Sequence, residues 1–143
     1  MKIRNEYPPN IEMIKKVFDL TAKHPIYAFY PDIYNPEGQQ IDVPLLAHEM
    51  VHLDQQKEIG VLNWWDRYLN NPAFRASQEI LAYQTQYLTA KKYNKDRNKL
   101  FNYAKLLALD LSCEMYGKCL TFSEALEAIQ STKNYQFEIS NVI

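Results

Sequence analysis

The chain has 143 residues, of which 47% are hydrophobic and 23% are charged, and its formal net charge at pH 7 is -1. This length suits one domain with a single hydrophobic core, and we expect residues 1–143 to form that domain. A chain without a basic excess is poorly suited to bind nucleic acid, and no stretch of it approaches the roughly 18 apolar residues that a membrane span needs.

The composition favours a mainly α fold of the α+β class, because only three glycines stand beside eleven tyrosines and an all-β chain would need more tight turns. In the first third, Asn10 is placed to cap a helix that ends at His24-Pro25. Residues 26–30 are aromatic or β-branched for the most part and lie between two prolines, which predicts a strand. A loop with Pro36 and Gly38 follows.

The next helix is predicted to begin at Asp42, whose side chain suits an N-cap, with Pro44 in the permissive first turn. It runs to Ile59 and ends at Gly60. The alternating pattern of residues 135–139 predicts either a strand or a docked tail. Capping residues and apolar periodicity predict the remaining helices over residues 63–69, 72–93 and 97–117, with a last short helix from Thr121 or Ser123 through Ile129.

The most informative motif is His48-Glu49-Met50-Val51-His52, which has the H-E-x-x-H pattern of zinc hydrolases. Because a helix advances about 100° per residue, His48 and His52 share one face and can bind one metal ion. Glu49 is turned aside from that line, which suits a general base that takes a proton from a water molecule on the metal. The alternatives are structural histidines or a metal-free relic of such a site.

A hydrolytic zinc site usually has three protein ligands and one water molecule, so a third ligand is required. Glu79 is the candidate, because it lies on a separate predicted helix that can pack beside the first. The alternative is a surface ion pair between Glu79 and Arg75, one turn earlier. Cys113 and Cys119 match neither a C-x-x-C redox pair nor a common zinc spacing, and we expect them to be free thiols.

With these residues the chain resembles the gluzincin branch of the zincin metallopeptidases, in which H-E-x-x-H on one helix is joined by a Glu from a second. Residues 79–83 are similar to the family's E-x-x-A-D pattern, except that Tyr83 stands where an acidic residue would orient a ligand histidine. The region from Leu45 to about Gln86 also resembles small H-E-x-x-H proteins of phages and bacteria. The resemblance implies a minimal zincin-like helical domain, with a short strand or hairpin before the motif helix.

The activity implied by this resemblance is zinc-dependent hydrolysis of a peptide or protein substrate, with His48, His52 and Glu79 as metal ligands and Glu49 as the general base. Tyr83, on the Glu79 face, is the catalytic candidate for stabilising the oxyanion. Tyr68, Arg75 and His24 are the other candidates for that role, and packing is the alternative role for Tyr83.

The predicted strand before the motif offers its free edge to an extended substrate, or else it is a core strand. Trp64 and Trp65 point about 100° apart on a helix, so at least one is expected in the core and the other could line a pocket.

A second class of function stays open, namely a non-catalytic metal-binding structural or interaction protein, for example a phage component. A cell-wall peptidase differs from the first hypothesis only in its substrate. A two-His-one-carboxylate site also suits iron, although the H-E-x-x-H motif favours zinc. No signal peptide is evident, so we expect a cytoplasmic protein, with association with a virion as the alternative. The sequence sets no oligomeric state.

Overall fold

The structure, a computed structural model, describes residues 1–21 and 25–131. It confirms the mainly α fold, with a small three-stranded sheet beside the helices. The helices of the described residues are α1 Ile11–Lys15, α2 Val43–Ile59, α3 Val61–Asn70, α4 Pro72–Tyr93, α5 Arg97–Leu111 and α6 Phe122–Gln130, with a 3-10 turn at Glu114–Tyr116 between α5 and α6. The predicted strand or tail at residues 135–139 lies outside the described part of the chain.

The sheet holds the segment that precedes the motif helix. The predicted strand is present as β2, Tyr27–Phe29, and it turns back into β3, Asp32–Tyr34, to make a hairpin. β1, Ile3–Arg4, pairs with β3 in parallel, so that the strand order is β1-β3-β2. The side chain of Asp32 accepts from the Lys2 amide at 2.8 Å and from Arg4 Nε at 2.7 Å, which fixes β1 to the hairpin.

Side-chain caps mark the starts of four of the six α-helices in the described residues, α2, α4, α5 and α6. Asp42 accepts from the amide of Leu45 at 2.9 Å, as its position predicts for the start of α2. Asn71 caps α4 through the amide of Phe74, and Thr121 forms a full capping box with Glu124 at α6.

Three predicted boundaries are wrong. The first helix is a short one, ending at Lys15. Asn63 does not cap α3, which begins directly after Gly60, where φ is +93°. α5 ends at Leu111 rather than at residue 117, since the chain continues there as the separate 3-10 turn.

α4 is the central helix, packing against α2, α3, α5 and α6. On one side an apolar core joins α4 to α5 and α6. On the other side an aromatic cluster joins α3 and α4 to α1 and the hairpin. Both tryptophans belong to this cluster, since Trp64 and Trp65 are buried and their rings contact Tyr68.

Arg75, buried on α4, ties three parts of the fold together. Its guanidinium donates to the carbonyls of Tyr68 and Leu69 at 2.7 and 2.9 Å and to the carbonyl of Met115. The first two carbonyls belong to the last turn of α3, where a cation is favourable. Because Met115 lies in the 3-10 turn, Arg75 fixes the end of α3 and that turn to α4.

We therefore expect Arg75→Met, which leaves these carbonyls without their donor, to lower the free energy of unfolding by about 3 to 5 kcal/mol. Urea denaturation of wild type and variant measures the change. Arg97→Met, at an exposed position on α5, is the control and should change the free energy of unfolding by less than about 0.5 kcal/mol. Equal losses in the two variants would contradict the role given to Arg75.

Candidate metal centre

The three predicted ligands meet in one buried cluster between α2 and α4. His48 Nε2 lies 3.2 Å from Glu79 Oε2, and His52 Nε2 lies 3.2 Å from Glu79 Oε1. The two Nε2 atoms are themselves 3.2 Å apart. The i,i+4 spacing places both imidazoles on the face of α2 that packs against the middle of α4, where Glu79 lies.

The donor atoms suit a divalent metal ion. Two atoms bound tetrahedrally at about 2.0 to 2.1 Å from a zinc ion lie about 3.3 Å apart, close to the separations seen here. Glu79 Oε2 is buried and has no hydrogen-bond partner, and a buried polar atom without a partner is unfavourable unless a cation completes it. The group His48, His52 and Glu79 can therefore hold a metal ion.

The electrostatics of the cluster also favour a cation. Burial alone would raise the pKa of Glu79, but the His52 and His48 imidazoles hold it well below its usual range. Burial lowers the pKa of His52, yet the adjacent Glu79 carboxylate outweighs this effect and raises that pKa to about 9. The cluster thus attracts positive charge, which either a proton or a metal ion can supply.

The surface ion pair between Glu79 and Arg75 is not formed. Glu79 is only 3% exposed and its carboxylate faces His48 and His52, whereas Arg75 donates to backbone carbonyls. A further contact comes from Tyr68 on α3, whose hydroxyl donates to Glu79 Oε1 at 2.6 Å. Tyr68 and Arg75 are therefore committed to other partners than a substrate oxygen.

Glu49 lies beside the cluster but is not part of it. It is buried and lines the same cavity as the three ligands, a space of about 240 Å³. Burial raises the pKa of the Glu49 carboxyl, while the neighbouring His48 and His52 act in the opposite direction. A carboxyl with a raised pKa is better suited to accept and return a proton near neutral pH.

Tyr83 lies beside the ligand cluster. Its ring packs roughly perpendicular to the His48 ring, with a centroid distance of 4.6 Å. Its hydroxyl lies 3.1 Å from the hydroxyl of Tyr116, and both residues line the cavity. Tyr83 does not orient a histidine, as the acidic residue of the E-x-x-A-D pattern would. His24, the remaining oxyanion candidate, falls outside the described residues.

The histidines are held instead by two glutamines that were not among the residues predicted for the site. His48 Nδ1 lies 2.9 Å from Gln86 Oε1, and His52 Nδ1 lies 2.9 Å from Gln55 Oε1. Spacing gives a signal for both, because Gln55 follows His52 by three residues and Gln86 follows Glu79 by two helical turns. Glutamine is too common a residue for that spacing to select these two.

The edge of β2 is in part already paired within the chain. The outward carbonyl of Ala28 accepts from Gln56 Nε2 at 2.9 Å and from Trp65 Nε1 at 3.2 Å. Gln56 Oε1 also accepts from the amide of Tyr30 at 2.7 Å. An extended substrate therefore cannot use these two backbone groups as the predicted free edge.

Cys113 and Cys119 are free thiols, as predicted. None of the helices in the described ranges is long and apolar enough to cross a bilayer. Comparison with protein-family models, curated proteins and solved structures gave no match. The interpretation of the site therefore depends on its own residues.

If Glu79 is a metal ligand, Glu79→Gln should remove most of the affinity while keeping the shape of the side chain. We expect the wild type to bind one equivalent of zinc and the variant to bind zinc more than about 100-fold more weakly. A loss of this size exceeds the usual effect of removing a residue that only hydrogen-bonds to a ligand. Competition with a chromophoric chelator measures the dissociation constants. Glu58→Gln, at an exposed position on α2, is the control and should bind as the wild type does.

Proposed function

We propose that the chain is a zinc-dependent hydrolase of peptide bonds, related in its site to the gluzincin metallopeptidases. The observation that supports this proposal is the convergence of His48, His52 and Glu79 in a cavity that Glu49 also lines. Two imidazoles and one carboxylate form an established catalytic zinc site, in which the fourth position is left to water or substrate. The H-E-x-x-H order favours zinc over iron.

When bound, the zinc ion supplies a Lewis acid that polarises a carbonyl and acidifies a water molecule. With the metal held by His48, His52 and Glu79, Glu49 would be the base that takes a proton from the attacking water and gives it to the leaving nitrogen. The burial of Glu49 supports both steps, because it brings the pKa of the carboxyl closer to the working pH.

The hydroxyls of Tyr83 and Tyr116 supply a donor for the developing oxyanion. One hydroxyl donates to the other across 3.1 Å, and the accepting hydroxyl keeps its own hydrogen for another partner. Because both side chains line the cavity, that hydrogen can serve a substrate oxygen. The packing of Tyr83 on His48 holds its ring in place for this role.

A metal-bearing structural protein is the second candidate. The ligands join α2 to α4, two helices that pack closely, and all three ligand side chains are buried. A metal ion in this position would stabilise the fold without any turnover. The two candidates differ in what they require of Glu49, since only the hydrolase needs its carboxylate.

The hydrolase predicts that Glu49→Gln lowers kcat by about 100-fold to 10⁴-fold, the usual contribution of a general base, while zinc content stays at one equivalent. A pool of quenched fluorescent peptides provides the substrate, and Glu58→Gln is the matched control on the same helix. Hydrolysis by the wild type that chelation removes and Glu49→Gln abolishes supports the enzyme. Stoichiometric zinc without hydrolysis of any peptide in the pool would favour the structural candidate.

The oxyanion role predicts that Tyr83→Phe lowers kcat by about 100-fold, with KM and zinc content nearly unchanged. Tyr87→Phe is the control, because Tyr87 lies one turn further along α4, buried in the apolar core. Steady-state kinetics on the best peptide of the pool measures both variants. If Tyr83→Phe and the wild type have a similar kcat, the oxyanion role is wrong and Tyr83 serves only in packing.

A further inference from the structure

We propose that Gln55 and Gln86 are the positioning residues of the metal centre, each holding one ligand histidine with its Nδ1 protonated and its Nε2 turned to the ion. The proposal rests on the metal site of the proposed function but not on hydrolysis. In the resembling family an acidic residue at position 83 would have this task, and this chain has Tyr83 there.

The hydrogen bonds of Gln55 fix the state of His52. Gln55 Nε2 donates to the backbone carbonyl of Gln78 at 3.1 Å, and a carbonyl oxygen can only accept. The amide of Gln55 must therefore turn its Oε1 to His52 Nδ1, which lies 2.9 Å away. Because Oε1 also only accepts, Nδ1 carries a hydrogen, and Nε2, which faces Glu79, is the nitrogen that gives up its hydrogen when a metal ion binds.

Gln86 contacts His48 from the opposite side. Its Nε2 donates to the hydroxyl of Tyr103 on α5 at 2.8 Å, and its Oε1 faces His48 Nδ1 at 2.9 Å. A hydroxyl can donate as well as accept, so here it is the ligand role of Nε2, and not the Tyr103 contact, that requires the hydrogen on Nδ1. Gln86 is buried on α4, so its amide has little freedom to turn. The two histidines are thus anchored independently, one through α5 and one through the backbone of α4.

The charge of the site explains why amides are suitable here. Two buried carboxylates, Glu49 and Glu79, already line the cavity beside the exposed Asp110, and in their ionised forms the two buried groups would balance one divalent ion. A third buried carboxylate would leave an excess negative charge in a region of low dielectric constant, which is costly. A glutamine oxygen orients the imidazole without adding that charge.

The test measures zinc affinity in Gln86→Leu and Gln55→Leu, by competition with a chromophoric chelator. We expect each variant to bind zinc about 10-fold to 100-fold more weakly than wild type, the effect of losing an outer hydrogen-bond partner. Gln84→Leu is the matched control, because Gln84 is a buried glutamine on α4 that donates to the carbonyls of Ala128 and Ser131. The zinc affinity of this variant should stay within about 3-fold of the wild-type value, because Gln84 makes no contact with a ligand histidine and distant sites couple only weakly.

A second readout separates positioning from general loss of structure. Long-range ¹H–¹⁵N spectra of the zinc-loaded protein should show Nδ1–H signals for both His48 and His52. Gln86→Leu should lose the protected signal of His48 alone, and Gln55→Leu that of His52 alone. Gln86→Glu should restore the His48 signal, because its carboxylate accepts the same hydrogen while the Tyr103 hydroxyl turns to donate.

Unchanged zinc affinity and unchanged Nδ1–H signals in both leucine variants would overturn the proposal while leaving the metal site in place. An Nε2–H form of either histidine in the zinc-loaded wild type would also overturn it. A wild type that binds zinc with both Nδ1–H signals but hydrolyses no peptide supports the positioning role and rejects only the proposed hydrolase. A wild type that binds no zinc rejects both proposals at their common step.

Discussion

The carboxylate of Glu79, buried between two imidazoles and a tyrosine hydroxyl, is the interaction on which the arrangement of the central helices depends. His48 and His52 come from α2, Tyr68 comes from α3, and Glu79 comes from α4. A buried carboxylate is unfavourable unless it is paired and hydrogen-bonded. Bringing Tyr68 and the two imidazoles to Glu79 requires α2, α3 and α4 to pack together, and Glu79 Oε2, which has no hydrogen-bond partner, leaves room for a cation to complete the pairing.

Aromatic residues around the site hold Tyr68, the hydrogen-bond donor to Glu79, in position. Trp64 stacks on Tyr68 with a centroid distance of 4.6 Å and contacts His52 at 5.3 Å. Arg75 holds the backbone of Tyr68 from the other side, and its guanidinium lies 5.5 Å from the Tyr68 ring. The ring that donates to Glu79 is therefore held by packing on its face and by a hydrogen bond at its backbone. Such support keeps the ligands in place, which a binding site of defined geometry requires.

Sequence patterns could predict the parts of the molecule that local rules determine. Asp42 and Thr121 are capping residues, and the H-E-x-x-H spacing places two imidazoles on one face of a helix, without reference to the rest of the chain. Glu79 could be selected because an incomplete zinc site requires a third ligand. β1 was not predicted, and β3 was expected only as the second strand of the hairpin that the resemblance implied as an alternative to a single strand, since strands of two and three residues are too short to show an alternating pattern.

The outer contacts of the histidines could not be read from the sequence for a different reason. The link from Gln86 to Tyr103 joins α4 to α5, and the link from Gln55 to the carbonyl of Gln78 joins α2 to α4. Both depend on how helices pack, and a polar side chain that is buried by packing looks in sequence like any surface amide. Besides the spacing of the two glutamines, the presence of Tyr83 where the E-x-x-A-D pattern has an acidic residue was a local sign that the histidines are supported in another way.

The hydrogen bonds already made by the backbone of Ala28 and Tyr30 limit how a peptide could bind beside the candidate site. Since Ala28 and Tyr30 already bond to α2 and α3 side chains, backbone pairing at these residues is not open to a substrate. The cavity of about 240 Å³ is smaller than the roughly 300 to 1,000 Å³ of pockets that enclose a whole drug-sized ligand. We therefore expect a substrate of the proposed hydrolase to place its scissile group and an adjoining side chain in the cavity, in preference to pairing its backbone with Ala28 and Tyr30.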